Sequence, residues 1–165
     1  MKRILSIILA LVLIGLLISW WLGRPSAIEK EVRAHFWTLV QLEVDGEEVA
    51  LPSDASITLK PMGGRRYVGS ASVNSYEVHF VIKGDGKFSF TNEGGGVTEM
   101  AGLPHLMAIE ETYIAALWKI RKAEVSGSTL VLTGPGVQLS YEGKPAPPLD
   151  DRGSPDDTVS TTAAE

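Results

Sequence analysis

Glu110 is the residue in this chain best placed to do chemistry. It falls inside an apolar helical stripe, between Leu106 and Tyr113 or Ile114. A carboxylate removed from water is costly unless it is hydrogen-bonded or neutralised. One reading makes it a general acid or base with a raised pKa. Another makes it a polar clasp that accepts hydrogen bonds from backbone N–H groups or a polar side chain of a neighbouring loop. Simple exposure at the helix edge is the third. The clasp is preferred, because no catalytic constellation accompanies the carboxylate. The 3 histidines are His35 in a charged connector, His79 on the polar face of a strand and His105 on the polar face of a helix. None shares a short spacing with another, so an H-x-x-x-H zinc site is absent. His79 and Glu77 share one strand face and form at most a weak metal pair; polar surface decoration is the preferred reading. There is no G-x-S-x-G elbow and no D-x-D-x-D-G calcium loop. Gly63-Gly64-Arg65-Arg66 and Gly94-Gly95-Gly96 lack the phosphate-loop spacing and context. With 0 cysteines, thiol chemistry, cysteine zinc sites and disulfides are excluded. No catalytic, cofactor-binding or metal residue is therefore assigned, and the protein is expected not to be an enzyme.

The element that must position Glu110 is Thr98 to Ile120, TEMAGLPHLMAIEETYIAALWKI. Leu106, Ile109, Tyr113, Leu117 and Ile120 form one helical stripe, flanked by Met107, Ile114 and Trp118. Pro104 suits a first turn, where its missing N–H has no partner to lose. Lys119, Arg121 and Lys122 fall at the helix C-terminus, where positive charge complements the macrodipole. Short strand-like runs flank this helix. Phe36 to Val44 opens the core, and Asp45-Gly46 turns the chain toward Glu47–Leu51. Ser56–Lys60 and Arg65–Ser72 are further strand candidates. Ser75 to Ile82 alternates cleanly, with Tyr76, Val78, Phe80 and Ile82 on one face. Gly84-Asp85-Gly86 turns into a run with Phe88 and Phe90 inward. Lys122–Ser126, Thr129–Thr133 and Val137–Tyr141 follow the helix. The expected fold is mainly β (α+β): a small antiparallel barrel-like sheet with one packed amphipathic helix.

The ends of the chain are different in kind. Ile4 to Leu22 carries no charged residue and follows Lys2 and Arg3. As a helix it would span about 28 Å, the thickness of a bilayer core. Trp20 and Trp21 close it where indoles favour headgroups. An uncleaved signal anchor is preferred over a cleaved leader, whose apolar region is shorter and whose cleavage site needs small residues where Pro25 stands. The basic residues before the run place the rest of the chain on the periplasmic or outer side of the cytoplasmic membrane, although Arg24, Lys30 and Arg33 oppose that orientation. From Gly143 onward, proline, acidic and small polar residues dominate, the composition of a disordered acidic tail. The expected division is an anchor at 1–23, a connector at 24–35 with one or two helical turns, a domain at 36–142 and a tail at 143–165. The net charge of −5 gives no basic footprint for nucleic acid.

Several of these residues together resemble a known family. Thr98-Glu99-Met100-Ala101, Pro104, Leu106-Met107-Ala108, Glu110, Tyr113 and Leu117 look like the C-terminal half of the META domain, the family of HslJ-like heat-shock proteins. Gly69 and Asn74, within Arg66 to Tyr76, resemble its G-x-x-G-C-N-x-(F/Y) element, and Trp37-Thr38-Leu39 its opening W-x-L. The resemblance covers about Phe36 to Tyr141. Val73 and Gly102 stand where the family often has cysteines, and Ser72 where it has glycine, so no role of that cysteine pair operates here. The resemblance implies a small β-barrel-like fold with a packed helix, an exported or envelope location and an association with stress responses, without an established enzymatic activity. Asn74 and Thr98 then become candidate polar partners of Glu110. The expected function is a membrane-anchored, non-enzymatic interaction module, tethered through residues 4–22, with an envelope protein as its partner. The alternative is a barrel that carries a small ligand.

Overall fold

The computed structural model describes residues 26–147. The apolar run Ile4–Leu22 and the tail beyond Pro147 lie outside them. Among the described residues, no helix is long and apolar enough to cross a membrane. The chain runs α1 (Ala27–Arg33), β1 (His35–Val44), β2 (Glu47–Glu48), β3 (Thr58–Pro61), β4 (Arg66–Ser70), β5 (Ser75–Ile82), β6 (Phe88–Phe90), β7 (Gly96–Val97), α2 (Pro104–Trp118), β8 (Lys122–Ser126), β9 (Thr129–Gly134) and β10 (Val137–Pro145).

The main sheet follows the order β6-β5-β4-β3-β1-β10-β9-β8, with β2 added to β1 and β7 to β5. Its end strands approach each other. Phe88 N donates to Arg121 O at 2.8 Å and Ala123 N to Gly86 O at 2.8 Å, with a bridge between Lys87 and Lys122. The result is a nearly closed antiparallel barrel. Strand β5 shows why the sequence folds this way: Tyr76, Val78, Phe80 and Ile82 are buried and the intervening residues are not, the period-two pattern of a half-buried strand. The first and last strands are central neighbours, paired from His35 with Pro145 to Val44 with Val137. A register shift between Leu39 and Gln41 turns Val40 outward, 53 % exposed.

Two helices pack on the barrel rather than the one expected. The one or two turns expected in the connector form α1, capped by Ser26, whose Oγ accepts from Glu29 N at 3.0 Å. Val32 is fully buried and Glu29 nearly so, with Glu29 ion-paired to Arg33. A buried valine and a hydrogen-bonded cap make this helix part of the domain. The other end also extends further than composition suggested. Gly143 and Lys144, assigned to the tail, pair with Trp37 and Phe36 in β10. A Cβ at Gly143 would lie 2.5 Å from the Trp37 ring, so glycine is required there to let the indole lie flat on the strand.

Helix α2 starts at Pro104, which suited a first turn, and does not reach back to Thr98, because Thr98 and Met100 hydrogen-bond to the β4–β5 turn instead. Ile109, Tyr113, Ala116 and Leu117 are its buried residues. Met107 and Trp118, expected to flank the buried stripe, are 41 % and 49 % exposed. Ala116 takes an inner position, 2 % exposed. Arg121 Nη1 donates to the Trp118 and Ile120 carbonyls, satisfying the helix end as its charge predicted, whereas Lys122 belongs to β8 and pairs with Glu124. The interior is filled by Trp37, Tyr67, Tyr113, Tyr141, Phe80 and Phe88, all fully buried. Tyr67 stacks on Phe80 at 3.8 Å and Phe80 meets Phe88 at 4.5 Å. Phe90 is only partly buried, against Trp118.

Candidate functional site

The polar centre of the domain lies where the β4–β5 turn, the segment before α2 and α2 itself converge. Asn74 is 3 % exposed. Its Nδ2 donates to Glu110 Oε1 at 2.7 Å and to Met100 O at 3.1 Å. Its Oδ1 accepts from Thr98 Oγ1 at 2.8 Å and from Met100 N at 2.7 Å. An amide can make about four such bonds, so Asn74 is fully satisfied. Glu110 Oε2 accepts from the backbone N–H groups of Val73 at 3.1 Å and Asn74 at 2.6 Å. Thr98 reaches Glu110 only through Asn74, while its Oγ1 also accepts from Ser75 N at 3.1 Å. One carboxylate and one amide thus fasten three segments that are distant in sequence.

Beneath this clasp runs a buried line of phenols. Tyr76 OH donates to Thr58 O at 2.7 Å and lies 2.7 Å from Tyr113 OH, which lies 3.1 Å from Tyr141 OH. Burial raises the ionisation of Tyr76, Tyr113 and Tyr141 well above the usual tyrosine range. Gly69 makes room for the line, because a Cβ there would sit 1.9 Å from Thr58 O and 2.7 Å from the Tyr76 ring. Of the residues singled out by sequence, Gly69, Asn74, Thr98, Met100, Glu110 and Tyr113 therefore gather in one region. Trp37 does not: it sits under α1, its Nε1 donating to Val32 O at 2.8 Å. Leu117 is a core side chain without polar contacts. Sequence reasoning missed Tyr76 and Tyr141 as partners of Tyr113, which no short spacing connects.

At the α1 end, the Tyr67 hydroxyl lies beside Arg33 and Glu29. Burial pushes its pKa up to about 12, the neighbouring Arg33 opposing the rise. On the outer face, His79 stands between Glu77 at 2.9 Å and Glu93 at 3.2 Å. The Arg66 hydrogen bond, then that of His79, hold Glu77 down at about 2. Among the described residues, no group of three or more His, Asp or Glu is arranged to hold a metal ion. An open groove of about 590 Å³ lies beside this cluster, lined by Val68, Glu77, the Gly94–Gly96 run, Val97 and Thr98 among others.

The sequence profile of the META domain matches residues 30–145. The chain belongs to the META domain family. The match takes in most of α1 and all of β10, in agreement with the packing just described. Two solved structures resemble this META domain. An NMR structure of a protein from Burkholderia xenovorans is 26 % identical, with a TM-score of 0.56 over 74 % of this chain and 91 % of that one. A crystal structure of a DUF4847-family protein from Bacteroides vulgatus shares the fold at 11 % identity, with a TM-score of 0.54 over 73 % of this chain and 100 % of that one. No protein of curated function matches.

The substitutions that set this META domain apart fall in one place. A Cβ added at Gly102 would meet the Val73 methyl groups at 2.6 and 2.7 Å. The two positions where the family often has cysteine thus touch, and valine fills the space between them. Ser72, where the family has glycine, keeps a glycine-like φ of +97°. Its backbone N–H donates to Ser56 O at 3.1 Å, which holds the turn in that conformation.

Proposed function

We propose that this META domain is a non-enzymatic interaction module, held at the cytoplasmic membrane by Ile4–Leu22 and facing the periplasm or cell exterior. The observation that carries the reading is an apolar surface on a fixed support. Met100, Leu103 and Met107 are 56 %, 57 % and 41 % exposed. They fall within one short stretch, which folds back so that Gly102 N points at Met107 Sδ at 3.4 Å. The backbone of Met100 is held at both N–H and carbonyl by Asn74, so the patch is presented without an ordering cost. Methionine suits such a role because its flexible thioether adapts to a partner surface. The Glu110 oxygens are already hydrogen-bonded to the turn, which supports a structural rather than a proton-transferring part. A stress-associated envelope role accords with the family and with the apolar N-terminal run.

The test is a photo-reactive amino acid at Leu103 in the full-length protein, expressed in its membrane. A reproducible adduct with one envelope protein, lost in Met100→Glu/Met107→Glu, is expected. Absence of any adduct, with the domain folded, would sink the reading. A second reading, small-ligand binding, is favoured by the open groove at Gly94–Thr98 rather than by the filled interior. Thermal stabilisation by a small molecule, abolished by closing the groove with Gly96→Trp, would select it.

A further inference from the structure

The first described residue fixes where the apolar run must enter the domain. Ser26 Oγ donates to Ile82 O at 2.6 Å, and Ile82 leads directly into the turn Lys83 to Lys87, closed by Lys83 N to Lys87 O at 3.0 Å. Across the barrel seam, Lys87 bridges to Lys122, next to Arg121. All four basic side chains are exposed. Lys87 and Lys122 face each other, an arrangement that repels unless an anion intervenes. Lys122 has one counter-charge in Glu124 at 2.6 Å; Asp85 accepts from the Lys87 backbone at 3.1 Å, not from its ammonium group. In a chain with a net charge of −5, this corner is locally basic.

Chain length supplies the second argument. Only Gly23, Arg24 and Pro25 separate Leu22 from Ser26, a reach of about 14 Å when fully extended. With Leu22 at the end of a spanning helix, Ser26 stays within about 14 Å of the hydrocarbon edge, close enough for the Lys83–Lys87 corner to reach headgroups about 5–8 Å deep. We infer that this corner, formed by Lys83, Lys87, Arg121 and Lys122, docks on an anionic bilayer surface and sets the orientation of the domain. The inference rests on the anchored reading above. Strand β5 separates Asn74 from Ile82 by about 25 Å. Docking by the lysine corner therefore turns the Met100–Met107 patch away from the lipid.

The absence of cysteine makes single-site labelling clean. Gly84 has nothing within 4 Å of an added Cβ, so Gly84→Cys places a spin label in the turn, and Leu103→Cys places one at the far end. Full-length protein is reconstituted in neutral phosphatidylcholine vesicles and in vesicles with added phosphatidylglycerol. The expected result is flotation with both, strong relaxation of the Gly84→Cys label by a headgroup-bound paramagnet in anionic vesicles only, and none at Leu103→Cys. Lys83→Gln/Lys87→Gln should weaken this docking about 25-fold, at about five-fold per lysine. Inorganic phosphate should compete no better than chloride of equal ionic strength; stronger competition would mean a free-phosphate site and overturn the inference. Flotation with a label signal indifferent to lipid charge and to the lysine changes would overturn the docking and leave the tether. Loss of flotation from neutral vesicles would overturn the tether, and the docking with it.

Discussion

Alkaline pH should unfold this domain abruptly, because all 4 of its tyrosines, Tyr67, Tyr76, Tyr113 and Tyr141, are buried with ionisations pushed up by burial. The folded state holds each phenol proton more tightly than the unfolded chain, whose tyrosines ionise near 10. Their contribution is therefore intact below pH 10 and is lost as pH rises above it. Each group costs about 1.4 kcal/mol per pH unit, so the four together remove about 5.5 kcal/mol per unit. The Tyr67 share levels off near its folded value of about 12. One unit above pH 10 already consumes the stability of a marginal domain, about 5 kcal/mol. Phenolate absorbance and near-ultraviolet circular dichroism, followed through one pH titration, measure this directly. All four phenols should stay silent through pH 10 and then ionise in one step as the dichroism collapses. Tyr141→Phe should make that step shallower by about a quarter and move it upward. Any tyrosine ionising near pH 10 with native dichroism retained would refute the reasoning.

Three further predictions concern the β4–β5 turn. Val73→Cys/Gly102→Cys should form a disulfide on oxidation, since an added Cβ at Gly102 lies 3.3 Å from Val73 Cβ, a few tenths short of the usual span of about 3.8 Å; closing a loop of about 30 residues should stabilise by about 3.6 kcal/mol, read as the difference in Tm with and without reductant, and failure to cross-link would reject the contact. Ser72→Gly should stabilise by about 1–2 kcal/mol in urea unfolding, because it relieves a φ of +97° and removes a buried hydroxyl without a partner among the described residues. Asn74→Ala and Glu110→Gln should each destabilise, with a coupling energy of about 1–3 kcal/mol between them; additive losses would show that the clasp does not act as a unit.

Much of the fold was legible because periodicity reports burial. The bounds of β5 follow from alternation alone, and Pro104 marks the start of α2. What periodicity could not show was where the chain prefers a side-chain partner to its own helix. Thr98 to Met100 read as helix by continuity with the apolar stripe, yet they hydrogen-bond to Asn74, a partner distant in sequence. Composition misled at Gly143 for a related reason: a glycine next to prolines resembles a tail until the Trp37 ring that covers it is known. Glu110 stood out because charge broke an apolar pattern, and that same break pointed to hydrogen-bond donors on a loop. The phenol line gave no such signal, since buried tyrosines fit a hydrophobic pattern as well as phenylalanine does. Helix α1 was legible as one or two turns, but its packing on the barrel was not, since one buried valine is too little for a pattern to register.

The pairing of β1 with β10 governs how this domain is made. Strand β10 lies between β1 and β9, so the last strand of this domain to be synthesised is a central one. Until β10 has emerged, β1 has an open edge, and β8 and β9 can meet the sheet only across the seam between β6 and β8. A nascent chain therefore holds the β6-β5-β4-β3-β1 portion as an unclosed sheet. Folding waits for a contact between the two ends of the domain, which places the search cost late and makes closure slow relative to local hairpins. Truncation before Tyr141 should leave an aggregation-prone fragment rather than a smaller domain.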